Sequence, residues 1–139
     1  MDLNERLADK INAIPNLPYP CIINFLNDNE GLALYPVVGS STKSADWSGN
    51  LTKVINYEVQ IRGLSKQAPV LNGALWRIAS MLDSLETLDS KDNSYIFKKL
   101  NITNEPSLTD ADTNGHLQYS LGFNVQIFQT KEMLENGRR

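Results

Sequence analysis

A chain of 139 residues has the length of one ordinary domain and can bury a single core. With 41% hydrophobic and 21% charged residues it is too apolar for a disordered chain and is expected to fold alone. Its formal net charge of -3, from 13 Lys and Arg against 16 Asp and Glu, leaves no summed positive field, which argues against tight nucleic-acid binding.

Leu3, Leu7, Ile11 and Ile14 share a stripe at helical spacing, and Asp2 followed by Glu5 has the pattern of a capping box, so a first helix is expected over 2–14. This segment is amphipathic and acidic, unlike a secretory signal, and no stretch reaches the length of a membrane span. Pro15, Pro18 and Pro20 then force the chain out of helix. The single cysteine, Cys21, has Ile22 and Ile23 beside it and reads as a buried hydrophobe in a protein of a reducing cytoplasm. The apolar runs 21–26 and 32–38 flank the turn-rich 27–31 and predict a hairpin, with Pro36 placing the second strand at an edge or ending it early.

Residues 39–50 are rich in Ser and Gly and are expected to form a long mobile loop. Trp47 stands out in it. Such an aromatic either folds back onto its own core or meets a partner, and Trp47 with its neighbours Asp46 and Ser48 is the candidate partner or oligomer contact. The sequons at Asn50 and Asn101 carry no weight without a secretory route.

Over 51–62, Ile55, Tyr57, Val59 and Ile61 alternate with Asn56, Glu58, Gln60 and Arg62, the period of a half-buried strand. A long helix follows over 68–88, with Pro69 in its first turn and Leu71, Ala74, Leu75, Ile78, Leu82 and Leu85 along one face. Trp76 adjoins that face and is expected to close the edge of the core. A weaker strand over 94–102 leads into a loop over 103–115, and Lys98 with Lys99 reads as a solvated strand end. Leu117, Tyr119, Leu121, Phe123, Val125 and Ile127 then alternate with polar residues in a last strand, and 131–139 reads as a frayed tail. The order describes one α+β domain over 1–139, a two-layer sandwich of mostly antiparallel or mixed sheet with two helices on one face and a polar face opposite.

Asp110, Asp112, Asn114 and Gly115 match the first half of a calcium loop. Leu121 stands where the closing Glu is required, so a hairpin turn is the better reading. His116, the only histidine, lacks partners for a zinc or nucleophile-base constellation, and Gly39 and Gly49 belong to no phosphate-loop pattern. These readings predict a non-enzymatic protein with no cofactor and no metal.

Several segments together resemble the minor capsid proteins of phages of Gram-positive bacteria, whose fold and genome context point to tail terminators. They are 34–39, Ile55-Asn56-Tyr57-Glu58-Val59-Gln60-Ile61-Arg62, Leu75-Trp76-Arg77-Ile78, and the stretch from Asn114 through Gly115, His116, Leu117, Gln118 and Tyr119 to Val125. Glu105-Pro106-Ser107-Leu108 stands where that family has a Pro-containing loop before its last strand, and the likeness covers about residues 18–130. The resemblance implies a structural virion protein assembled in the bacterial host cytoplasm, a self-associating ring, most simply a hexamer. The ring would cap the tail tube, dock on head-completion or connector proteins, and let DNA pass as cargo, with no membrane contact. Two alternatives stand beside it. One is a head-side connector or stopper, and the other is a small α+β hydrolase or ligand-binding domain outside phages. The resemblance assigns no residue to a lumen or a tube contact.

Overall fold

The computed structural model describes residues 1–39 and 41–136. In chain order the elements are α1 (Leu3–Asn12), β1 (Cys21–Ile23), β2 (Gly31–Pro36), β3 (Ser41–Ala45), β4 (Leu51–Leu64), a 3-10 turn (Ser65–Gln67), α2 (Ala68–Asp83), β5 (Ile96–Ala111), β6 (His116–Gln129) and α3 (Lys131–Asn136). Six strands form one mixed sheet in the order β1-β2-β4-β6-β5, with β3 paired to β4. The fold is α+β, with helices packed on the sheet.

The alternation along β4 and β6 does what its period demands. Val59 lies opposite Leu121, Tyr57 opposite Phe123 and Ile55 opposite Val125, so one face of the paired strands is continuously apolar. Against it α2 lays Leu71, Ala74, Leu75, Ile78 and Leu82, and α1 lays Leu3, Leu7 and Ile11, all buried in one core. α1 covers the β1–β2 side and α2 the β4, β6 and β5 side. Tyr57 and Phe123 stack with ring centroids 5.4 Å apart. None of the described helices is long and apolar enough to cross a membrane.

Asp2 stands at the N-cap of α1 but makes no side-chain bond to the helix, so the capping box does not form. Its carboxylate instead accepts the Ser90 hydroxyl at 2.7 Å and the Lys91 backbone N–H at 2.8 Å, tying the helix start to the loop before β5. Asn12, the last residue of α1, clamps Cys21 by accepting its N–H at 2.8 Å and donating to its carbonyl at 3.2 Å.

The expected hairpin over 21–38 is not there: β1 pairs with β2 in parallel, Cys21 opposite Leu32 and Ile23 opposite Leu34. Asn27 and Asp28 both hold positive φ, and the loop carries Leu26 under Ala33 and Tyr35 on the face opposite the helices. A parallel return this short works because β1 is only three residues long. The outer face is therefore not polar throughout.

Four further expectations are corrected. Residues 41–45 are a strand rather than part of a mobile loop; β2 reaches only Tyr57, so the start of β4 has backbone groups to spare, and β3 pairs with them. Ser40 lies outside the described residues. The expected loop over 103–115 is mostly strand, since β5 runs to Ala111 through register shifts on either side of Pro106. Proline is accepted there because β5 is an edge strand. The helix expected over 68–88 stops at Asp83, and the expected tail begins as α3, its last residues 137–139 lying outside the described part.

Candidate functional site

The residues singled out from sequence stand at the tip of the β3–β4 hairpin. Asp46 builds the turn: its carboxylate accepts the N–H groups of Ser48 and Asn50, both at 2.9 Å, and the Asn50 side-chain amide at 2.9 Å. Foremost the Asn50 backbone N–H, with those of Ser48 and Gly49, holds the Asp46 carboxyl below its usual range. The Asp46 N–H donates to Asn50 O at 3.0 Å, closing the hairpin. Gly49, at φ 82°, takes the left-handed conformation the turn requires. Lys131 donates its N–H to Asn50 Oδ1 at 3.0 Å, fastening the tip to the start of α3.

Trp47 points off this turn and is fully exposed, as are Asp46 and Ser48. Of the two alternatives that sequence left open for Trp47, folding back onto its own core is not what the chain does. Trp76 remains partly exposed in a groove between α2 and β5, beside Ile102 and Glu105.

The outer sheet face carries the polar half of the alternation. The bulged β5 curls there to leave a concavity of about 460 Å³, lined by Asn56, Glu58, Asn104, Thr109, Ser120 and Gly122 among others. Glu58 accepts the Tyr35 hydroxyl at 3.1 Å, and Thr109 and Ser120 share a hydrogen bond of 2.8 Å. Burial, with the Glu58 charge, pushes the Tyr35 phenol well above its ordinary value.

Beyond the concavity a charged chain crosses the same face. Arg62, only 2% exposed, reaches Asp110 at 3.3 Å, Gln118 at 3.5 Å and Asp112, while its Nε is buried without a hydrogen-bond partner. His116 lies between Asp112 and Glu30, at 3.4 and 3.5 Å. Asp112 also accepts the N–H groups of Asn114 and His116, both at 2.9 Å, and the backbone N–H of His116 is the leading reason its carboxyl lies below the usual range.

That geometry makes the calcium-like stretch a hairpin turn whose carboxylates face Arg62 rather than a common centre. Among the described residues no three His, Cys, Asp or Glu side chains are placed to hold a metal. Cys21 is buried and unpaired, and burial pushes its thiol up to about 12, far from thiolate chemistry at neutral pH.

The structure thus keeps Asp46, Trp47 and Ser48 together on one turn, and adds the Arg62 network, which sequence reasoning did not assemble. The signal was present but ambiguous: Arg62 occupies a polar-face position, where an arginine reads as solvated unless its carboxylate partners, 48 and 50 residues away, are known. Neither a protein-family model nor a curated protein sequence matches the chain.

Proposed function

We propose that the chain is a non-enzymatic structural subunit of a tailed-phage neck, a tail terminator that assembles with itself into a ring, caps the tail tube and joins it to the head. The observation that carries this reading is Trp47, a large aromatic held fully in solvent by a turn that Asp46 locks. A flexible loop could lose an exposed indole in its own disorder; a fixed one presents it for contact. The resemblance of β4, the middle of α2 and β6 to phage minor capsid proteins gives that contact its setting. The net charge of -3 suits a channel through which DNA slides without sticking.

Electron micrographs of the full chain mixed with tail-tube protein test the proposal. Rings seated on tube ends are the expected result. Binding to a portal or adaptor, with none to tubes, would make the chain a head-side connector or stopper. Binding to neither would overturn a neck role.

A further inference from the structure

We infer that the Trp47 of one copy seats in an apolar pocket at the β1 edge of a second copy, so that subunits join by a knob-in-pocket contact. This deepens the ring reading above and rests on it. The pocket encloses about 200 Å³ between Tyr19, Pro20, Ile22, Phe25, Leu26 and Leu32, with Asn29 and Glu30 also lining it. That is below the roughly 300–1,000 Å³ of pockets that take a whole small molecule, and suits one large side chain. Ile22 and Phe25 are 45% and 57% exposed, so the subunit leaves its apolar wall uncovered.

An indole matches this wall in both of its parts. Its rings need apolar contact, and its N–H needs an acceptor on burial, which Glu30 or Asn29 supplies. One flanking pair is opposite in charge. Lys131 packs over Gly49 beside the knob, while Glu30 and the exposed Asp28 stand on the pocket side. Asp46, on the other flank of the knob, has its carboxylate engaged inside its own turn.

Trp47 cannot fill the pocket of its own subunit. The pocket adjoins Gly31, which pairs with Arg62 at the far end of β4, whereas the knob extends beyond Leu51 at the near end. Between those residues the strand is about 36 Å long, at roughly 3.3 Å per residue. Because β6 occupies one edge of β4 throughout, β3 and β2 share the other, so knob and pocket lie at opposite ends of one side of the sheet. Two different patches that fit each other carry the contact from copy to copy, and close a ring where the rotation per subunit allows.

Sedimentation of the full chain alone, without any tail-tube protein, reads this contact. The wild type should associate with rising concentration. Trp47→Ala and Ile22→Glu should each weaken association by at least about tenfold, with thermal midpoints measured alongside. An equimolar mixture of the two variants should recover pairs, since one retains its pocket and the other its knob. Glu30→Lys should weaken association, and adding Lys131→Glu should restore it. A wild type that stays monomeric, variants that associate normally, or a mixture no better than its components would overturn the inference. A chain that caps tubes yet behaves in one of these ways would keep the proposed function and lose this contact; one that self-associates through Trp47 but caps no tube would do the reverse.

Discussion

Truncating Trp47 to Ala should leave the monomer's stability within about 0.5 kcal/mol of wild type in thermal denaturation, because the indole touches nothing in its own core. Arg62 is the contrasting residue. Its guanidinium is buried among Asp110, Asp112 and Gln118, so removing its counter-charges should harm the fold more than removing the charge itself. We expect Asp110→Asn with Asp112→Asn to lower the melting temperature further than Arg62→Met, and the opposite order would show that the ion pairs do not hold that end of the sheet. The acidic side of the pH profile follows from the same groups. Asp46 and Asp112 have lowered folded values, and hydrogen bonds from Ser94 and Ser90 bring Asp92 to about 2. A depressed carboxyl stabilises fully above its unfolded value, here 3.8, and the contribution is lost as pH falls through the folded value. Melting temperatures should therefore be insensitive to these groups near neutrality and drop between pH 3.8 and about 2.

Among the elements, the pairing of β5 with β6 is the most exacting. A Cβ on Gly122 would stand 2.8 Å from the Asn104 amide and 3.1 Å from the Thr103 hydroxyl, so these β5 side chains would have to give way to admit it. Gly122→Ala should cost about 1–3 kcal/mol in denaturant unfolding, and a neutral result would show that β5 yields freely. Elements with a strong period were legible in the sequence: β4 and β6 through alternation, α2 through Leu71, Leu75, Ile78 and Leu82, and from these the layered fold class. Those whose form depends on distant partners were not. β3 is a strand only because β2 stops at Tyr57, β5 hides its period behind register shifts and Pro106, and β1 pairs in parallel because Leu26 finds a site across the sheet. The turn residues Asp46, Trp47 and Ser48 were visible by composition, whereas the order of their turn and the Arg62 network depended on tertiary contacts.

For the molecule as a whole, the layers divide labour. The helical layer and the inner sheet face hold the core, the outer face carries a polar concavity and a charged chain, and the β2–β3 side of the sheet bears both the knob and the pocket. The opposite edge, β5, carries Lys98, Lys99, Glu105 and a proline along a bulged strand, features that discourage pairing with another sheet. The central pairing also sets a clock. β4 meets β6 along its whole length, yet α2 and β5 lie between them in the chain, so the sheet cannot close until that long segment has been brought round. Refolding from denaturant should accordingly take about milliseconds to seconds, the range of folds dominated by distant pairings. The local β5–β6 hairpin is placed to form early and the packing of α1 late. Stopped-flow measurements should then find that changes in the Asp112 turn chiefly slow folding while changes at Leu7 chiefly speed unfolding.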